Sequence, residues 1–188
     1  MGFDIYGLNP TAAEEDGPSM PDNKGKWTKE DSDQYEKSQQ WREQVGIYFR
    51  NNVWAWHPLW DFVINTCMDI ITPEDAKYGH SNDHHEIDAP KAYQIGQRLK
   101  EHVESGFVDK YVNDRNKEME DAPDIDCVIC HGVGKRAEPP LSGPGTMKCN
   151  ACNGTGKRRP YEEAYYLDKG NIEDFSVFCI NSGGFSIR

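Results

Sequence analysis

The sequence predicts an α+β fold. Three or four helices surround a tryptophan-rich core, a small sheet pairs the two chain ends, and a metal-binding hairpin is inserted late in the chain. Three observations carry this prediction. Apolar residues recur at helical spacing through the middle of the chain, and four of the five tryptophans fall between Trp41 and Trp60. Both ends alternate in strand fashion, with Phe3, Ile5 and Leu8 at the start and Phe185 and Ile187 at the close. Between them, Cys127-Val128-Ile129-Cys130-His131-Gly132-Val133-Gly134 shares the pattern C-x-x-C-x-G-x-G with Cys149-Asn150-Ala151-Cys152-Asn153-Gly154-Thr155-Gly156, and 18 residues separate the two pairs. The expected organisation is one α+β domain from residues 1–123 and 161–188, with an inserted hairpin module over residues 124–160.

Gly2 to Leu8 is expected as a short strand, with Gly184 to Ile187 as its partner. Residues 9–27 are rich in Pro, Gly and acid without periodicity, and read as a loop or mobile arm. From Asp31, the residues Tyr35, Trp41, Val45 and Tyr48 or Phe49 keep a near-helical period, which predicts a helix ending near Asn51-Asn52. A second helix is expected over Trp54, Trp56, Leu59, Trp60, Val63, Ile64 and Cys67, with Pro58 near its first turn, where the missing N–H is tolerated. The four tryptophans from Trp41 to Trp60 are expected in the core, because the aliphatic residues among them share the helical period. Residues 72–87 are polar and read as a loop. Asp88 as N-cap and Pro90 in the first turn predict a third helix, with Ile95, Leu99, His102 and Val103 on one face and Gly106 at its end. Phe107 to Glu120 continues as a charged helix. After the hairpin, Tyr161 to Leu167 fits strand or helix. Asn171 with Glu173 and Asp174 marks the start of a last helix, which buries Ile172, Phe175, Phe178 and Cys179 and ends at Ser182-Gly183-Gly184.

Four thiolates in two C-x-x-C pairs match a tetrahedral zinc site, so Cys127, Cys130, Cys149 and Cys152 are the expected ligands of one structural Zn2+. The glycines accept positive φ and let amides approach sulfur. With four cysteines in place, His131 is not needed as a ligand, and no coordination position stays open for water or substrate. Cys67 and Cys179 lie in apolar runs and read as small buried hydrophobes. With no leader or membrane-spanning stretch read in the sequence, a reducing cytoplasm is the expected compartment.

The double C-x-x-C-x-G-x-G resembles the cysteine-rich module of DnaJ-type co-chaperones. That family module carries four repeats and two zinc ions, so two repeats over residues 124–160 imply one ion and half the module. The resemblance also implies a part in handling client polypeptide. His57-Pro58-Leu59 departs from the His-Pro-Asp signature of the J-domain, so stimulation of a chaperone ATPase is not implied. Elsewhere, Met1 to Gly7 and the aromatic run Tyr48 to Leu59 resemble small uncharacterised proteins of phages and bacteria, a resemblance that brings no activity with it.

The net charge of −11 argues against generic nucleic-acid or membrane binding by the whole surface. The charge is uneven. Between Cys127 and Pro160, the six cations Lys135, Arg136, Lys148, Lys157, Arg158 and Arg159 face only Glu138, a net +5 that leaves −16 for the rest. These cations offset the negative charge of a zinc tetrathiolate and solubilise a core-poor module. Lys135, Arg136, Lys157, Arg158 and Arg159 are also the candidate binding surface. The stretch from Gly79 to Asp88 gathers His80, His84 and His85 with Asp83, Glu86 and Asp88, but without a helical scaffold it reads as a solvated loop whose Asp88 caps a helix. His57, flanked by Trp, reads as a packed core or surface histidine rather than a catalyst. The sequence carries no phosphate-binding loop, dinucleotide fingerprint, nucleophile elbow or H-E-x-x-H. The expected function is a non-enzymatic, zinc-stabilised protein-binding protein, chaperone-like or regulatory. A nucleic-acid-binding accessory protein using the basic hairpin is the alternative, and a metalloenzyme using His80, His84 and His85 is a third reading. No membrane partner is expected, and the oligomeric state is left open.

Overall fold

The computed structural model describes residues 2–22, 25, 27–139, 141–160 and 165–188. The chain divides into two compact units, Met1–Asn113 with Leu167–Arg188, and Asp114–Tyr166. In chain order the elements are β1 (Gly2–Gly7), α1 (Lys29–Gln44), β2 (Tyr48–Asn52), α2 (Val53–Thr66), α3 (Pro73–Tyr78), β3 (His85–Ile87), α4 (Ala89–Glu104), α5 (Phe107–Asp121), β4 (Ile125–Asp126), β5 (Lys135–Arg136), β6 (Met147–Lys148), β7 (Lys157–Arg158), α6 (Lys169–Asn181) and β8 (Phe185–Ile187).

The first unit is built on a four-stranded antiparallel sheet in the order β2-β1-β8-β3. The chain ends pair as expected, with Ile5 opposite Ile187 and Gly7 opposite Phe185. Phe3, Ile5, Phe49, Ile87, Phe185 and Ile187 point their apolar side chains into the core, as period-2 alternation requires. The helices supply the rest of that core: Trp56, Leu59, Trp60 and Val63 from α2, Ile95 and Leu99 from α4, Phe175 and Phe178 from α6. Trp56 and Trp60, one turn apart on α2, stack with ring centroids 5.5 Å apart. Their indole N–H groups donate to the Gly79 carbonyl at 2.7 Å and the Ala76 carbonyl at 3.2 Å, so neither is buried without a partner. Only these two of the four clustered tryptophans are fully buried. Trp54 is 55% exposed, and Trp41 is half-buried on α1.

Several elements differ from the sequence expectation. The first helix stops at Gln44, and Tyr48–Asn52 is a strand. Gly46 adopts φ +78°, and a Cβ there would collide with the backbone of Asn181 and Ser182. The chain therefore turns at Gly46, and the following apolar run fills the free edge of β1, with Phe3 opposite Asn51 and Ile5 opposite Phe49. Pro58 lies in the second turn of α2. Residues 72–87 are not all loop: Thr72 and Asp75 form a reciprocal cap on α3, and His85–Ile87 joins β8 as the outer strand. The last helix starts at Lys169 with Asp168 as its cap. Asn171 instead bonds Asn51 at 2.8 Å and the Ala55 carbonyl at 3.3 Å. The described part of residues 9–27 lies along α1, through Arg42 to Glu14 at 2.7 Å, Gln34 to the Ser19 carbonyl at 2.8 Å and Ser38 to the Pro18 carbonyl at 3.1 Å. Of the segment Tyr161 to Leu167, residues 161–164 lie outside the described residues. Among the described residues no helix is long and apolar enough to cross a membrane.

Candidate metal centre

Among the described residues of the second unit, Cys127, Cys130, Cys149 and Cys152 form a buried cluster, with Ile129 packed against it. The four sulfurs lie within 4.8 Å of one another. Cys127 Sγ is 3.9 Å from Cys149 Sγ, and Cys130 Sγ is 3.7 Å from Cys152 Sγ.

Each C-x-x-C-x-G-x-G run folds into the same knuckle. The amide of Gly132 donates to the Cys127 carbonyl at 3.2 Å, and that of Gly154 to the Cys149 carbonyl at 2.9 Å. One residue pair further on, the Gly134 amide points at Cys130 Sγ at 3.2 Å and the Gly156 amide at Cys152 Sγ at 3.3 Å. The same positions take left-handed φ in both copies: His131, Gly132 and Gly134 at 51°, 81° and 79°, and Asn153, Gly154 and Gly156 at 51°, 84° and 79°. A Cβ at Gly134 would strike the Gly154 carbonyl, and one at Gly156 the Gly132 carbonyl. The glycines thus serve both the turn and the close approach of the two knuckles. Short ladders close the unit: Cys127 N–H bonds the Gly156 carbonyl at 2.8 Å and Cys149 N–H the Gly134 carbonyl at 2.9 Å. β4 pairs β7, and β5 pairs β6.

The thiols divide in their readiness to ionise. Burial raises Cys130, and the neighbouring thiols add to the rise against the Gly134 amide. Burial also opposes ionisation of Cys152, but the Gly156 and Gly154 amides with the Cys149 and Cys130 thiols outweigh it and lower its pKa. Such a cluster can hold a metal ion, and among the described residues it is the one group of three or more His, Cys, Asp or Glu with that geometry.

The five candidate surface cations are not equivalent. Lys157 is paired with Asp126 at 2.7 Å. Arg159 donates to the carbonyls of Met119 at 2.6 Å and Glu120 at 3.2 Å, capping the end of α5. Arg136 donates to Asn150 Oδ1 at 2.7 Å. Lys135 stands opposite Lys148 across the β5·β6 ladder. Arg158 faces Ile125 across β4·β7. Sequence reasoning missed the apolar side of this surface, where Ile125, Val128, Val133, Leu141 and Met147 are all exposed. The 22-residue offset between the knuckles was the available signal, since it sets Val128 against Asn150 and Val133 against Thr155.

The histidines of residues 80–85 disperse. His80 bonds Asp61 at 3.0 Å, His84 lies 3.4 Å from Glu86, and His85 bonds Asp75 at 2.9 Å. His57 packs edge-on to Phe3 and sets its Nδ1 2.9 Å from that of His80. Burial and then His80 lower its pKa. Comparison of the chain with protein-family models, with curated proteins and with solved structures gave no match.

Proposed function

We propose that the chain is a non-enzymatic protein-binding protein whose second unit is held together by one structural zinc ion on Cys127, Cys130, Cys149 and Cys152. The sulfur spacing carries the metal reading. A tetrahedron with metal–sulfur bonds of about 2.3 Å has edges of about 3.8 Å, beside the 3.7 and 3.9 Å separations of two cross-knuckle pairs and the 4.8 Å within which all four sulfurs lie. When bound, zinc supplies charge neutralisation and a crosslink. Four sulfurs fill its coordination, which favours a structural role over catalysis. The exposed apolar residues around the knuckles favour polypeptide as the partner. The likeness of the two repeats to the DnaJ-type module points the same way.

Elemental analysis is expected to give one zinc per chain, lost in Cys149→Ser. Alkylation is expected to label no cysteine in the zinc-loaded chain, because all six are buried, and four after chelation. Full zinc retention by Cys149→Ser overturns the ligand assignment. Structural zinc contributes about 10–16 kcal/mol in zinc-finger peptides, so chelation is expected to unfold the second unit. For the binding role, the zinc-loaded chain is expected to capture a protein partner from its native cell extract that chelated chain does not. Absence of any zinc-dependent partner overturns it. A nucleic-acid role draws on one observation, the Lys135–Lys148 pairing, since opposed like charges favour a bound anion. Salt-sensitive oligonucleotide binding, lost on reversing Lys135 and Lys148 to Glu, would replace the protein reading.

A further inference from the structure

The two knuckles are related by a 22-residue offset, which places Arg136 and Arg158 in equivalent positions at the ends of β5 and β7. Their surroundings differ. The guanidinium of Arg136 is held by Asn150 Oδ1 at 2.7 Å. The residue equivalent to Asn150 is Val128, so Arg158 has no such acceptor. Among the described residues the Arg158 side chain makes no hydrogen bond and no ion pair, although it is only half-exposed. It lines a groove of about 220 Å³ together with Ile125, Asp126, Val128 and Arg159. The other charges of that groove are already engaged, Asp126 by Lys157 at 2.7 Å and Arg159 by the Met119 carbonyl at 2.6 Å. The walls are aliphatic and accessible, with Val128 65% and Ile125 45% exposed.

We propose that this groove beside the first knuckle is a polypeptide-docking site, in which Arg158 takes a side-chain carboxylate and Ile125 and Val128 take a neighbouring aliphatic side chain. The inference rests on the protein-binding reading above and names its contact. Charge complementarity sets the carboxylate: a planar guanidinium with its acceptors missing presents a fork that a carboxylate fills with two parallel hydrogen bonds. The aliphatic walls set the second half of the ligand. A nucleic-acid backbone offers them nothing, and the remaining −16 of the chain repels a polyanion more than a single carboxylate. The size agrees, because 220 Å³ lies below the roughly 300–1,000 Å³ of small-molecule pockets and suits one or two side chains.

The test uses the full zinc-loaded chain and a fluorescein-labelled peptide with Leu-Glu-Leu at the centre of a Gly/Ser frame, beside its Leu-Gln-Leu counterpart, read by anisotropy. Leu-Glu-Leu is expected to bind saturably and Leu-Gln-Leu about tenfold more weakly, the loss of one charge-assisted contact. Arg158→Gln and Val128→Asn are each expected to weaken Leu-Glu-Leu about tenfold at unchanged zinc content, and Arg136→Gln to leave it unaltered. Equal affinity for both peptides, an Arg136→Gln loss as large as that of Arg158→Gln, or tighter Arg158-dependent binding of an oligothymidylate would overturn the proposal. The two readings fail separately. If the partner captured from extract is retained by Arg158→Gln and Val128→Asn, the groove is wrong and protein binding stands. If no partner is captured at all, the protein-binding reading falls.

Discussion

At the scale of single residues, Asp75 shows how much one buried carboxylate can organise. It is 4% exposed and accepts from Lys91 Nζ at 2.7 Å, His85 Nε2 at 2.9 Å and the Thr72 amide at 2.8 Å. Burial pushes its pKa up, but the bonds from Lys91, Thr72 and His85 overcome this and hold it at about 2, below the ordinary 3.8. A depressed acid contributes stability above its unfolded pKa and loses it as the pH falls through the folded value. Asp75→Asn is therefore expected to cost about 3 kcal/mol at pH 7, because Lys91 is left without its buried partner. In urea unfolding the gap should close between pH 4 and pH 2. A variant as stable as the parent at pH 7 would show that Lys91 and His85 simply turn to water. In the sequence, residues 72–87 read as loop, and the Thr72–Asp75 cap that starts α3 was missed. The reach of Asp75 to β3 and α4 lay further out of sight, since those partners come from 10 and 16 residues away.

At the scale of elements, α1 and α6 meet along an acidic seam. Burial raises Glu43 on α1 to about 7, with Asp174 on α6 adding to it, and burial likewise raises Asp174. The sign is opposite to that of Asp75. A raised acid binds its proton more tightly in the folded state, so stability falls as the pH rises from the unfolded value of 4.5 through the folded one. Glu43→Gln is expected to stabilise the chain at pH 8 by about 1 kcal/mol, a figure reduced for solvent screening of a partly exposed group. The gain should vanish by about pH 3, where the carboxyl is protonated in both states. Thermal melts across that range measure it, and a Glu43→Gln variant less stable at pH 8 would refute the seam as a source of strain. Element boundaries were the hardest feature to read nearby. Trp41 and Val45 carry a helical period into Tyr48 and Phe49, but the chain turns at Gly46, at φ +78°, and Tyr48–Asn52 pairs with β1 instead.

For the whole molecule, the two units have different sources of order. The first unit is organised around a large apolar cluster built from Phe3, Trp56, Trp60, Ile95, Phe175 and Phe185 among others. The second is organised around four sulfurs. The β4·β7 ladder sets Ile125 opposite Arg158, so the chain enters and leaves the knuckles side by side. Removing residues 124–160 and closing the gap with a short Gly/Ser linker is expected to leave a cooperative melt followed by tryptophan fluorescence, with Trp56 and Trp60 still buried. Loss of cooperativity would show that the first unit depends on the second.

The sequence alone determined the features that are local. Eight residues are enough to write a knuckle, so the four cysteines and their glycines were legible from spacing. The same holds for the Asp88 cap with Pro90, and for the alternating chain ends. Tertiary structure decided where the local pattern pointed to another state. Tyr48–Asn52 is a strand because β1 had an edge to fill. His85–Ile87 is a strand because β8 had the other. Trp56 and Trp60 are core while Trp54 is not, because α2 turns only one face to the sheet. His80, His84 and His85 look like a cluster along the chain and end on three different carboxylates. Arg136 and Arg158 look alike and differ through residues 14 and 30 positions away, Asn150 and Val128. In each case the deciding energy is burial or hydrogen bonding to a distant segment, which no spacing rule along the chain contains.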